Sequence, residues 1–235
     1  MKFDAPLIPG RLLRRYKRFF ADVELENGET VTAHCANTGA MTGIIDPGLK
    51  VWLSETDNPK RKLRYTWEIV EADGVLVGAL PARANALAQE AAETGVIREL
   101  AGYETLRREV KYGDNSRIDL LLEADGRPPC YVEVKNVHMR RTADLAEFPD
   151  AVTTRGAKHL GELKRIAEAG QRAVQLFVVQ RGDCERLAPA ADIDPVYSDA
   201  LLAAHGAGVD VLAYACEVKP DEIRIRRPLH VELNP

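Results

Sequence analysis

Over the first third of the chain the apolar positions come in short runs broken by polar ones. RFFADVEL, ETVTAHCA, KVWLSE, RYTWEIVEA and GVLVGAL are rich in β-branched and aromatic residues, the composition of half-buried strands. Asn27-Gly28, Asp46-Pro47-Gly48, Asp57-Asn58-Pro59 and Asp73-Gly74 separate them as turns. Short strands at this spacing, with no helix longer than a turn or two among them, predict a small OB-like β-barrel; an SH3-like barrel would read almost the same. The period changes after Leu80-Pro81. ARANALAQEAAETGVIRELAGYETLRRE is rich in Ala, Leu and Glu and predicts two helical pieces divided by Gly95 and Gly102. EVKY, SRIDLLLE and CYVEVKNV then read as strands, TTRGAKHLGELKRIAEAG as an amphipathic helix and RAVQLFVVQ as a buried strand. A helix from Pro195 to His205 and the strands VDVLAYACEV and EIRIRR follow. The expected class is α+β in two domains: an OB-like barrel over 1–80, and over 81–235 an α/β domain with a mixed sheet flanked by helices.

Composition narrows the function. With 235 residues, a formal net charge of -4 and a pI near 5.8, the chain is no polycation, so a nucleic-acid partner must be met by a local patch. Cys35, Cys130, Cys184 and Cys216 lack the spacing of a zinc site or redox dithiol and are expected to be free thiols. No apolar run reaches the length of a membrane span, and Met1 to Pro9 is followed by Arg11, Arg14, Arg15, Lys17 and Arg18 in place of a signal peptide's apolar region. A cytoplasmic protein with no membrane partner is expected.

The candidate chemistry lies in the central hairpin. SRIDLLLE and CYVEVKNV are joined by ADGRPP, whose Asp125-Gly126 and Pro128-Pro129 continue neither strand. The even positions Ile118, Leu120, Leu122, Cys130, Val132 and Val134 are apolar; the odd ones include Asp119, Glu133 and Lys135. A turn centred on Gly126 puts Asp119 across from Glu133 and beside Lys135 on one face. Two carboxylates suit a hard cation, Mg2+ or Mn2+, which takes one or two protein carboxylates and fills the rest from water and phosphate. Asp119 and Glu133 would hold the metal, and Lys135 would position a water or stabilise developing charge during metal-dependent phosphodiester hydrolysis. Asp, then Glu-x-Lys on the next strand, resembles the PD-(D/E)xK nuclease motif, and the flanking order of helix, meander, helix and apolar strand matches the restriction-endonuclease-like core.

AHCANTGAM, SETDNPKRKLRYTWE, SRIDLLLE, YVEVKNV and FPDAVTTRGAKHLGEL together resemble the sugar fermentation stimulation protein A family over nearly the whole chain. The resemblance implies an OB-like barrel joined to a PD-(D/E)xK-like domain, DNA binding, and a regulatory link to sugar (maltose) metabolism. The nuclease-like pattern falls on Asp119, Glu133 and Lys135 without departure. A further acid from the preceding helix is common in such nucleases, with Glu99, Glu104 and Glu109 as candidates.

Basic residues interleaved with aromatics mark the barrel's contribution. Arg14, Arg15, Lys17 and Arg18 lie near Tyr16, Phe19 and Phe20, and Lys60, Arg61, Lys62 and Arg64 lie near Tyr65 and Trp67, a pattern that holds phosphates and stacks bases. Thr153 or Thr154 reads as an N-cap followed by Arg155 and Lys158, cations at a helix start that would grip a phosphate; His159 is not assigned as a metal ligand. The loop HCANTG, with His34, Asn37, Thr38 and Gly39, reads as a turn whose amides could also take a ligand. The expected function is backbone-directed DNA binding with a Mg2+-dependent nuclease site; the alternative is a non-catalytic DNA-binding regulator that keeps the nuclease-like fold.

Overall fold

A computed structural model describes residues 1–112 and 116–233 of the chain. The barrel consists of β1 (Ile8–Tyr16), β2 (Phe20–Leu25), β3 (Thr30–His34), β4 (Lys50–Glu55), β5 (Tyr65–Ala72) and β6 (Val75–Gly78). They pair in the order β3-β2-β1-β4-β5-β6, and a parallel β3–β5 contact at Ala33↔Tyr65 and His34↔Thr66 closes the sheet on itself. This is the OB-like closure, in which the first strand pairs with both its hairpin partner and the fourth. Leu12, Val23, Ala33, Val51, Leu53 and Trp67 fill the interior.

The second part begins with α1 (Arg83–Glu93) and a single 3-10 turn at Arg98–Leu100. The second helical piece expected from GYETLRRE is instead the strand β7 (Thr105–Tyr112). Leu and Arg favour helices weakly, and pairing along seven residues with β8 (Ser116–Glu123) overrides that preference. The exposed arginines of β7 suit the edge of a sheet. The chain continues with β9 (Cys130–Val137), β10 (Asp144–Phe148), α2 (Thr154–Glu168), β11 (Arg172–Val179), β12 (Cys184–Pro189), α3 (Pro195–Gly206), β13 (Asp210–Val218), β14 (Ile223–Pro228) and β15 (His230–Val231). The central sheet runs β14-β13-β11-β9-β8-β7, parallel at β9–β11–β13 and antiparallel outside. A small parallel sheet β10-β12-β15, which the sequence pattern did not reveal, flanks it. The mixed sheet between α1 on one face and α2 with α3 on the other is the PD-(D/E)xK-like arrangement. All four cysteines are buried free thiols.

The two parts share a core. Leu7, Trp52 and Ile69 of the barrel belong to the same apolar cluster as Leu87 and Ala88 of α1 and Val132, Val174 and Leu176 of the central sheet. A polar bolt adds to it: the half-buried Asp150 accepts the Met41 backbone N–H at 2.9 Å and lies 3.2 Å from His138 Nε2. Burial pushes the Asp150 carboxyl up, but the His138 and Met41 contacts hold it below the ordinary aspartate value. Gly39 is required there, because a Cβ would stand 2.4 Å from an Asp150 oxygen. Gly39→Ala is therefore expected to cost about 1–3 kcal/mol by forcing the bolt apart. Urea unfolding checks this, and a variant as stable as the parent would contradict it.

Candidate cation site and nucleic-acid interface

The hairpin register follows the turn. Leu120↔Val132, Leu121↔Tyr131 and Leu122↔Cys130 are the pairs that a turn centred on Gly126 dictates. Strict alternation fails one residue further on. Leu120 and Leu122 pack on the α1 side, yet Ile118 belongs to the cluster on the α2 side. The change of face falls at Asp119. On the other flank the β7–β8 ladder runs from Arg108↔Leu120 to Val110↔Ile118, skipping the pair between, where Glu109 takes a left-handed φ of 52°. In place of a backbone ladder, Asp119 uses its carboxylate: Oδ2 accepts the Val134 backbone N–H at 2.7 Å, and Oδ1 accepts the Asn85 amide from α1 at 2.7 Å.

The Glu133 carboxylate is met from α2, close enough for its charge to act on Asp119, and is only 3% exposed. Its Oε1 receives Lys135 Nζ at 2.7 Å and contacts His159 Nδ1. Its backbone carbonyl accepts the Gln175 amide at 3.0 Å from the neighbouring strand β11. Oε2 of Glu133, Oε1 of Gln175 and the Tyr197 hydroxyl are buried without a hydrogen-bond partner among the described residues. Burial alone would push the Glu133 carboxyl up; the His159 hydrogen bond and the Lys135 charge more than offset it, leaving the group below the usual glutamate range. Asp119 goes the opposite way. Burial first, then the Glu133 charge, push it up to about 6 against the Val134 and Asn85 hydrogen bonds and the Lys135 charge. The two carboxylates thus behave as a coupled pair with divergent affinities for a proton, a pattern characteristic of functional sites.

None of the three helix acids considered completes the pair. Glu99 sits in the 3-10 turn and accepts the Tyr214 hydroxyl at 2.5 Å. Glu104 precedes β7, where its N–H is bonded to the Glu123 carbonyl, and Glu109 lies within β7. The helical residue that reaches Asp119 is the neutral Asn85. Asn85 and Gln175 carry no signal in the sequence, because each reaches the hairpin from a distant segment, and the contact of His159 with Glu133 is no more local.

The ten cations assigned to nucleic acid divide by what they touch. Arg15 donates to the carbonyls of Asn37 at 2.8 Å, Gly39 at 3.1 Å and Arg18 at 3.2 Å, so it fastens the HCANTG loop. Two amides at the end of the loop are committed as well: Gly39 N–H bonds Asn37 Oδ1, and Met41 N–H, just beyond the loop, bonds Asp150. Arg14 pairs with Asp22, and Arg64 with Glu55 and Asp57. Lys158 lies 3.8 Å from Glu162. Lys17, Arg18, Lys60, Lys62 and Arg155 make no ion pair among the described residues, and Arg61 gives one nitrogen to Thr66.

The two barrel clusters meet. Phe19, Phe20 and His34 from one side and Arg61, Lys62 and Leu63 from the other line a single apolar cleft of about 300 Å³. Phe19 is 43% exposed, and Phe20 is stacked on Tyr16 with ring centroids 5.4 Å apart. At the hairpin tip, Lys17 and Arg18 hold left-handed φ values of 48° and 63°. Each costs about 1–2 kcal/mol relative to glycine-like freedom, strain that concentrates at binding sites.

Comparison with known proteins gives a consistent result. The sugar fermentation stimulation protein RE domain model matches residues 82–222, and the SfsA N-terminal OB domain model matches residues 13–79. The chain is 68% identical over 234 residues to the sugar fermentation stimulation protein homolog of Maricaulis maris, covering 100% of each. It is 56% identical over 233 residues to the homolog of Paramagnetospirillum magneticum, covering 99% of this chain and 98% of that one. Among solved structures, Pyrococcus furiosus SfsA in complex with Ca2+ superimposes with a TM-score of 0.88 at 29% identity, covering 99% of this chain and 98% of that chain.

Proposed function

Because the chain belongs to the sugar fermentation stimulation protein family, with its OB-like and PD-(D/E)xK-like parts, we propose that it binds nucleic acid through the barrel cleft and acts on its phosphodiester backbone at Asp119, Glu133 and Lys135. The observation that carries this reading is the carboxylate pair: two acids from adjacent strands, one pushed up to about 6 partly by the other's charge, with a lysine 2.7 Å from Glu133.

The donor set fits a hard divalent cation. Glu133 Oε2 is a buried carboxylate oxygen without a protein partner, and Asp119 is the acid whose ionised form the pair disfavours most. Among the described residues no group of three or more His, Cys, Asp or Glu side chains converges, so an ion here would take at most the two carboxylates from the protein and its other positions from water and substrate oxygens. The Pyrococcus furiosus relative is a complex with Ca2+, a hard divalent cation of the same class, which is in keeping with this reading. A bound Mg2+ would supply Lewis-acid polarisation of a phosphoryl oxygen. The residues of the chain do the rest: Asp119 and Glu133 hold the ion, Lys135 positions a water or stabilises charge on the phosphoryl group, and Arg155 meets a flanking phosphate. The small protein donor set equally supports a second reading, a DNA-binding regulator without cleavage.

Incubation with single-stranded, duplex and branched DNA and with RNA, in Mg2+ or Mn2+ and in EDTA, separates the two. Cation-dependent cleavage is expected, and its absence on every substrate leaves the regulator. The cleft itself is tested by binding. Phe19→Ala is expected to weaken affinity for a single-stranded oligonucleotide by about 1–3 kcal/mol, the contribution of one stacked base. Lys62→Ala should lower the slope of log affinity against log salt by about 1. Fluorescence anisotropy reads both, and a Phe19→Ala protein that binds like the parent would remove the cleft from the interface.

A further inference from the structure

We propose that His159 is a positioning residue that commits one oxygen of Glu133 to the protein, so that the other alone is offered to a divalent cation. The proposal rests on the cation site described above. His159 lies in the second turn of α2, buried against the sheet, with Nδ1 on Glu133 Oε1. Its other nitrogen, Nε2, accepts Arg155 Nε–H at 3.3 Å. A neutral imidazole that accepts at one nitrogen carries its proton on the other, so Nδ1–H is the donor to Glu133. Arg155 therefore fixes the tautomer, and does so with Nε, which leaves both terminal guanidinium nitrogens for a phosphate.

The consequence is an asymmetric carboxylate. Oε1 takes two donors, Lys135 and His159, and Oε2 takes none among the described residues. With Lys135 as the sole donor, each excursion of its flexible stem toward substrate would release Glu133. With His159 in place, Lys135 can move to a phosphoryl oxygen while Glu133 keeps its orientation. Groups behind a metal ligand commonly act this way, and their loss costs about 10–100-fold in metal affinity. Gln175 performs the equivalent service for the Glu133 backbone carbonyl.

Two variants and one spectrum test this. Asparagine carries its amide nitrogen where histidine carries Nδ1, so His159→Asn keeps the donor, whereas His159→Phe removes it and keeps the bulk. Mn2+ affinity, measured by calorimetry on metal-free protein, is expected to fall about 10–100-fold in His159→Phe and to stay within a few-fold of the parent in His159→Asn. Equal affinity in the parent and His159→Phe overturns the proposal, as does an equal loss in both variants with unchanged circular dichroism. Ring 15N shifts of metal-free protein should show His159 protonated at Nδ1; protonation at Nε2 overturns the proposal whatever Mn2+ does. A parent with the expected tautomer that binds no Mn2+ overturns the cation site as a whole, an outcome distinct from the others.

Discussion

Lys135→Ala is expected to reduce cation-dependent cleavage by about 10²–10³-fold, the usual cost of deleting a preorganised transition-state donor. The ammonium is 15% exposed and already 2.7 Å from Glu133, so little reorganisation separates its resting contact from a phosphoryl oxygen. Nucleic-acid affinity should change no more than a few-fold, because the unpaired cations Lys17, Arg18, Lys60 and Lys62 lie on the barrel. Arginine should not restore the rate: its planar fork is a poor substitute for a compact charge on a flexible stem. The relevant measurements are single-turnover cleavage and anisotropy on the same preparation. Cleavage that survives the substitution would place the chemistry elsewhere.

The second large effect is on stability. Asp119 titrates at about 6 in the fold against 3.8 for the free side chain, so between these values the folded state keeps a proton that the unfolded state has lost. Stability from this group is thus fullest below about pH 4 and falls as pH rises through 6, by on the order of 3 kcal/mol at ~1.4 kcal/mol per unit. Glu133 and Asp150, both held below their ordinary values, oppose this at lower pH, where their protonation destabilises the fold. Asp119→Asn should flatten the fall between about pH 4 and 6. Its absolute stability should also drop, since an amide has one acceptor for the two donors Val134 N–H and Asn85. Mn2+ should restore the parent's stability at pH 7 and do little at pH 4.5. Denaturant unfolding in EDTA across this range checks the slope, and a parent and Asp119→Asn variant with identical pH profiles would refute it.

How much of this was legible in the sequence depends on how local the determinant is. The hairpin register could be read because Gly126 and the prolines fix the turn, and alternation then carries three pairs correctly. It could not be read at Asp119, where the side chain replaces the backbone as acceptor and the strand changes face. TLRR looked helical because propensity is a property of residues, whereas the neighbour that makes it a strand lies across a turn. That Arg15 also holds the carbonyls of Asn37 and Gly39 is not legible either, because that loop lies some twenty residues away in the chain. His159 stands one contact behind the carboxylate pair, on Glu133, a place that no spacing in the sequence encodes.

The shared core has a consequence for how such proteins can diversify. Trp52 and Ile69 of the barrel and Leu87 and Ala88 of α1 close the same apolar volume, so neither half presents a finished surface to solvent on its own. A chimera that takes its barrel from one relative and its sheet from another must match side chains across that boundary or leave voids and clashes, each worth kilocalories. Recombination at residue 80 is then disfavoured, and under the proposed function exchange of the tip loops around Lys17 and Lys62, which contribute no residue to that apolar cluster, is the open route to new nucleic-acid preferences.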